Sequence, residues 1–216
     1  MELKGKKINF LGDSITDGHG TSDKDHRFTA LIEKKTGAIC RNYGIGGTRI
    51  ARQQNPAEDP HVSENSDYCF RALNMDPDAD IICVFGGTND YGHGDAPIGS
   101  FDDRTPDTFC GALNTLCTEL AERYPAARIV FFTPLHRAGE NNPKDGGEGP
   151  TLKTYVDLIR QAAEQYSFPV LDLYRVSGLQ PEIPAIREMY VPDGLHPNDA
   201  GHVRLADIMV AFHESL

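Results

Sequence analysis

The sequence predicts an α/β fold in which a parallel sheet is covered by helices on both faces. Three observations carry that expectation. Apolar runs alternate with helical patterns from one end of the chain to the other. The apolar runs are near-continuous rather than alternating, as strands buried on both faces require. Three unusually long connections, about 49–80, 91–105 and 136–150, each follow a strand and so project from the carboxyl edge of the sheet. Connections of that length are usually functional or carry small helices of their own.

The elements follow in order. Residues 8–11, Ile-Asn-Phe-Leu, read as a short buried strand ended by Gly12, and residues 28–35 as a helix stopped by Gly37. Residues 38–43 make a second strand. Residues 81–85, Ile-Ile-Cys-Val-Phe, are the clearest strand, stopped by Gly86-Gly87. Residues 107–124 form an amphipathic helix with Phe109, Leu113, Leu116 and Leu120 at helical spacing, closed by Pro125. A strand over 128–133, a helix over 152–166 and a strand over 170–173 come next. A terminal helix over 200–213 is capped by Asn198 or Asp199. With 216 residues and no internal repeat, the chain is expected to form one domain, 1–216.

Composition narrows the function classes. Charged residues make up 25%, an ordinary globular value that excludes wholesale disorder. The net charge of −11 repels phosphate backbones and anionic headgroups, so no nucleic-acid partner is expected. No stretch approaches eighteen apolar residues, so no membrane span is expected. The N-terminal MELKGKKINF lacks an apolar core and a small-residue cleavage site. A cytoplasmic location is therefore expected, although removal of a leader would leave the same picture. The five cysteines are odd in number and form no Cys-x-x-Cys, which fits reduced thiols.

Four short blocks carry chemistry. In Gly12-Asp13-Ser14-Ile15-Thr16 a strand ends, a glycine turns the chain and a serine falls where a helix begins. Unpaired backbone N–H groups at such a start carry partial positive charge. Taken alone, the block reads as an ordinary helix cap. Asp193-Gly194-Leu195-His196-Pro197 places a carboxylate and an imidazole three residues apart on a turn. A serine needs such an imidazole to take its proton, and the imidazole needs a carboxylate to fix its tautomer. Taken alone, this is an Asp-Gly turn with an exposed histidine. Gly86-Gly87-Thr88-Asn89-Asp90 offers an amide donor at the carboxyl edge, and Asn42-Tyr43-Gly44-Ile45-Gly46-Gly47-Thr48 offers unobstructed backbone N–H groups. Either is also plain turn chemistry.

Position separates these readings. In a doubly wound sheet the ligand crevice lies beyond the carboxyl ends of the strands, where the strand order reverses. In the order 2-1-3-4-5 the loops bearing Ser14, Gly47 and Asn89 converge there. A nucleophile, a backbone donor and an amide donor then share one site, as acyl transfer requires. Competing motifs are incomplete: there is no Gly-x-Ser-x-Gly, no phosphate-binding loop, and residues 44–49 lack the third glycine of a dinucleotide fingerprint. His19, His26, His61, His93, His136, His202 and His213 show no metal-ligand spacing, so no metal is expected. His93 and His136 lie in the long loops, where they either line a pocket or stand in solvent. Asp17 and Asp90 adjoin the catalytic positions but read as turn formers rather than as catalytic groups.

Gly-Asp-Ser-Ile-Thr, the glycine in Asn-x-Gly-x-Gly-Gly, Gly-Gly-Thr-Asn-Asp and the late Asp-Gly-Leu-His-Pro together resemble the SGNH (GDSL) hydrolase family. The blocks span positions 12 to 197, so the resemblance is effectively full-length. It implies a flavodoxin-like three-layer α/β/α sandwich and an esterase- or lipase-type serine hydrolase that needs no cofactor. It implies Ser14 as nucleophile, His196 as general base and Asp193 as its orienting partner. The oxyanion donors would be the N–H groups of Ser14 and Gly47 and the amide of Asn89, with Gly46 and Gly44 as alternatives to Gly47. Polar loops suggest a short, acetyl-type ester of a carbohydrate or other polar alcohol. Lysophospholipase, thioesterase and a noncatalytic flavodoxin-like binding module are the alternatives.

Overall fold

The computed structural model describes residues 1–55 and 66–216. Strands β1 (Lys7–Gly12), β2 (Ile39–Gly44), β3 (Ile81–Phe85), β4 (Arg128–Phe132) and β5 (Val170–Leu171) pair in parallel as one sheet in the order 2-1-3-4-5. The order reverses beside β1, which lies between β2 and β3.

Side chains alternate across a strand, so each strand feeds two cores. Ile8 and Phe10 of β1, Ile81, Cys83 and Phe85 of β3, and Val130 and Phe132 of β4 face one side. There they meet Phe28 and Ile32 of α2 (Phe28–Thr36) and Leu205 and Met209 of α9 (Asp199–Ser215). Leu11, Ile82, Val84, Ile129 and Phe131 face the other side. Their partners include Tyr68 of α3 (Tyr68–Ala72), Leu113, Leu116 and Leu120 of α5 (Phe109–Arg123), and Tyr155 and Ile159 of α6 (Leu152–Gln165). Every residue of β3 is buried. That is why its sequence reads as an unbroken apolar run. Burial of each such large apolar side chain contributes about 1.5–3 kcal/mol.

Helix ends follow local chemistry. Gly37, at φ +72°, closes α2 and donates its N–H to the Glu33 carbonyl. Thr108 caps α5 by accepting the N–H of Gly111 (3.0 Å), so that helix starts two residues later than expected. Asn198 caps α9 by accepting the N–H of Gly201 (3.1 Å). Asp199, the other candidate cap, accepts from the backbone N–H and hydroxyl of Ser22 instead (2.8 Å each).

Larger differences from the sequence expectation lie toward the carboxyl end. The fifth strand covers only Val170–Leu171, because the Asp172 side chain leaves the sheet to cap α7 (Leu173–Val176) and to pair with Arg160 (2.8 Å). Leu173 is therefore helical. Helix α8 (Pro184–Tyr190) is not among the elements the sequence predicts: none of its residues is fully buried, and its half-buried Tyr190 packs against the core from the helix end. The first long connection holds α3, and α4 (Thr88–Gly92) leads into the second. Among the described residues no helix is long and apolar enough to cross a membrane. The cysteines are unpaired; Cys69, Cys83, Cys110 and Cys117 are buried and Cys40 is half-buried.

Helix α9 buries two imidazoles. His202 stacks on Phe28 with ring centroids 5.7 Å apart and accepts the Phe28 N–H at Nδ1 (3.0 Å). His213 Nε2 lies 3.5 Å from Cys83 Sγ. Burial pushes each imidazole down to about 4 from an ordinary 6.5. Between those values the unfolded chain binds more protons than the folded one. The stability each neutral ring allows is intact above the window and is lost as pH falls through it. His213→Leu is expected to lose less Tm between pH 7 and pH 4 than the parent. Equal losses in the two thermal melts would show that His213 is not held neutral.

Candidate active site

Strand β1 ends at Gly12, where a Cβ would fall 1.9 Å from Thr16 Oγ1. Only glycine lets the chain turn that tightly. Asp13 then caps α1 (Ser14–Asp17) by accepting the N–H of Ile15 (2.9 Å), and Ser14 takes the first helical position. Burial pushes the Asp13 carboxyl up to about 7 against the pull of that N–H, and the nearby Asp90 carboxyl adds to the rise.

Ser14 Oγ lies 3.0 Å from His196 Nε2, and His196 Nδ1 lies 2.6 Å from Asp193 Oδ2. The other Asp193 oxygen accepts the backbone N–H groups of Leu195 (2.8 Å) and His196 (2.7 Å). One carboxylate thus fixes both the turn and the ring it carries. Burial alone would raise the Asp193 carboxyl, but those N–H groups and the imidazole hold it below its ordinary value. Burial pushes the His196 imidazole below 6.5; Asp193 opposes this, and the nearby His19 and Arg137 side chains reinforce it. The turn leans on the segment after β4, since Ala138 donates its N–H to the Gly194 carbonyl (2.7 Å).

Ser14, His196, Gly46, Gly47 and Asn89 line one cavity of about 340 Å³. Asn89 stands near the start of α4 and donates one amide hydrogen to the Thr48 carbonyl (3.0 Å). The amide keeps a second N–H for another acceptor. Among the candidate glycines, Gly44 closes β2, where a Cβ would lie 2.1 Å from the Asp17 backbone nitrogen. Its role is packing. Gly46 approaches Ser14, a Cβ there lying 3.9 Å from Ser14 Cβ, while Gly47 turns the loop at φ +76°. All five predicted site residues therefore converge, with Asp193 behind the imidazole.

Sequence reasoning missed the residues that brace the cavity. Arg71 is buried and donates to Thr48 Oγ1 (2.8 Å), to the Gly12 carbonyl (3.1 Å) and to the Tyr43 carbonyl. Asp90 accepts the N–H groups of Ile50 (3.0 Å) and Ala51 (2.9 Å). Burial pushes its carboxyl up to about 6 against those bonds. His19 packs edge-on against His196 with ring centroids 4.3 Å apart. The only sequence signal for Asp90 was its place directly after Asn89; Arg71 and His19 had none. Of the loop histidines, His93 lines the cavity, whereas His136 turns to Glu140 (2.7 Å) and packs on Tyr174. Asp17 pairs with Arg27 (3.3 Å), and His61 lies outside the described residues.

A family model, the GDSL-like lipase/acylhydrolase family, matches residues 10–204. Among solved structures, a protein from Lactobacillus plantarum is 32% identical over 98% of both chains, with a TM-score of 0.83. A lipase/acylhydrolase from Enterococcus faecalis is 21% identical over 97% of this chain and 96% of its own, with a TM-score of 0.66. The salicylyl-acyltransferase SsfX3 from a tetracycline biosynthetic pathway is 21% identical over 97% of this chain and 55% of its own, with a TM-score of 0.66. The last two are alike in fold alone. No curated protein sequence matches the chain significantly.

Asp90→Asn keeps one acceptor oxygen and leaves one of the Ile50 and Ala51 N–H groups without its partner. A buried donor left that way costs about 1–3 kcal/mol. Urea denaturation of the variant is expected to show a loss of that size, and an unchanged midpoint would show that the carboxylate does not brace the loop.

Proposed function

The chain belongs to the GDSL-like lipase/acylhydrolase family, and from that premise we propose that it hydrolyses a carboxylic ester through a serine acyl-enzyme. The observation that carries this proposal is the chain of short contacts from Asp193 through His196 to Ser14, 2.6 and 3.0 Å long. Asp193 holds the imidazole with its proton on Nδ1, leaving Nε2 free to accept. Ser14 Oγ bonds to the ester carbonyl carbon as its proton passes to Nε2. The carbonyl oxygen takes the negative charge and is met by the N–H groups of Ser14 and Gly47 and by the second amide hydrogen of Asn89. The carbon–oxygen bond to the alcohol then breaks, and His196 delivers its proton to that alcohol. Water attacks the acyl-enzyme with His196 again as base, which releases the acid and restores Ser14.

The electrostatics favour this assignment. A general base must be neutral when substrate arrives, and burial keeps the His196 ring more readily neutral than a free imidazole. The small cavity around Ser14 suits a short acyl group, and the polar loops beyond it suit a polar alcohol such as a carbohydrate. A lysophospholipase or thioesterase would use the same machinery with a different acyl group or leaving group. A noncatalytic binding module would have no use for the imidazole and carboxylate together.

A chain-length series of nitrophenyl esters tests enzyme status and acyl preference at once. The parent is expected to turn over the short esters fastest, and Ser14→Ala to lose turnover while remaining folded. Asn89→Ala is expected to lose about 10²–10³ in kcat. Labelling by a fluorophosphonate is expected in the parent and not in Ser14→Ala; an unlabelled parent would favour the binding module. In a separate pH series, kcat/KM is expected to rise as His196 loses its proton, with a midpoint below 6.5. A rate that stays flat from acidic to neutral pH would contradict His196 as the base, and a midpoint above 6.5 would contradict the downward push of burial on its ring.

A further inference from the structure

A second cavity, of about 780 Å³, opens beside the first, and His93 lines both. Its walls include Arg137 and Lys144 from the long segment after β4, Tyr91 of α4 and Tyr155 of α6. Two cations on one wall stand out in a chain of net charge −11.

Arg137 is the telling residue. Its Nη1 donates to the carbonyl (3.0 Å) and hydroxyl (3.2 Å) of Thr88, and its guanidinium sits 5.5 Å from the Tyr91 ring centroid. Its Nε is buried and makes no hydrogen bond. Among the described residues no carboxylate forms an ion pair with it. Asp193, Asp13 and Glu140 act on it only through space. Glu140 is already committed to His136 (2.7 Å), to the Tyr174 hydroxyl (3.2 Å) and to the backbone N–H of Arg137 itself (3.0 Å). Burial pushes the guanidinium below its ordinary value, the mark of a charge with too little compensation. Lys144 brings a second cation to the lining, its Nζ donating to the Asp90 carbonyl (2.8 Å) and to the Tyr155 hydroxyl (3.3 Å). Asp95, which also lines the cavity, is held by the backbone N–H groups of Gln54 (2.8 Å) and Asn55 (2.7 Å). A partly buried cation without a counter-ion is costly unless a ligand supplies one.

We propose that this cavity binds an anionic group of the substrate, a carboxylate or a phosphate, and that Arg137 is the specificity-determining residue that receives it. A guanidinium meets either anion with paired N–H donors. The proposal rests on the ester-hydrolase reading and names its substrate class: an ester whose acyl or alcohol part carries a negative charge beside the scissile carbonyl. An acylated sugar acid or sugar phosphate meets both requirements.

The test is a ratio of kcat/KM values. In the acyl arm, 4-nitrophenyl hemiglutarate is compared with 4-nitrophenyl butyrate. In the alcohol arm, acetylated glycerol 3-phosphate and an acetylated glucuronate are compared with the uncharged acetylated glycerol and glucose. The parent is expected to prefer the anionic ester about 10- to 100-fold in at least one arm. Arg137→Gln is expected to bring that ratio near one, and Arg137→Lys to restore part of it. Any loosening of Thr88 slows charged and neutral esters alike and cancels in the ratio. A parent that hydrolyses the neutral esters through Ser14 but shows no charge preference in either arm overturns this proposal and leaves the hydrolase reading standing. If no ester turns over, the hydrolase reading falls and calorimetric titration with glutarate and inorganic phosphate decides the cavity separately. Binding that Arg137→Gln abolishes supports the anion site, and no binding of either overturns it.

Discussion

One buried guanidinium holds the ends of two strands and the loop beyond them in a single grip. Arg71 reaches the last carbonyl of β1, the penultimate carbonyl of β2 and the Thr48 hydroxyl from inside the protein. Backbone carbonyls at the carboxyl end of a parallel sheet have no further strand partner, and a buried carbonyl without a donor is costly. Arg71 adds donors there, at the place where the strand order reverses, and the Gly12 carbonyl also accepts the N–H of Ile45 (3.1 Å). The Gly46-Gly47 loop is thereby fixed in relation to Ser14. Asp90 performs the converse task on the other side, giving acceptors to N–H groups of the chain leaving that loop. A guanidinium and a carboxyl group, both withdrawn from water, brace the same few residues.

The price of this arrangement is visible in the carboxyl groups. Asp13 and Asp90 are each driven upward by burial, to about 7 and about 6. Asp193, which is much less enclosed and accepts two backbone N–H groups, stays below its ordinary value and so remains charged beside His196. Three aspartates in one neighbourhood are thus separated by their surroundings into two that resist ionisation and one that retains it. A ring that burial keeps neutral, held by a carboxylate that stays ionised, is the state from which proton transfer would begin.

The legible parts of the sequence were those where one local rule governs. Strand β3 reads directly because both its faces are buried, and α2 because Gly37 ends it in a left-handed turn. The fifth strand was overextended because an apolar Val-Leu-Asp-Leu run does not reveal that Asp172 caps a helix. Helix α8 was invisible because none of its residues is fully buried and only its last residue, Tyr190, reaches the core. The family and the strand order were legible, since blocks of unusual composition punctuate the strand ends. Arg71, Arg137 and His19 were not, because an isolated arginine or histidine gains meaning only from distant segments that fold against it. The three loop glycines could be told apart in part: Gly44 by the Asp17 backbone behind it, but not Gly46 from Gly47, which share the cavity.

The contact between Ser14 and His196 joins residues 182 positions apart. A growing polypeptide can pair β1 with β2 while still attached to the ribosome, but it cannot supply the imidazole until nearly all of its length has been made. During synthesis Ser14 is an ordinary alcohol at the tip of a half-built sheet. Under the proposed chemistry, cleavage of esters in the surrounding cell is withheld from every unfinished copy by the order in which the residues are translated.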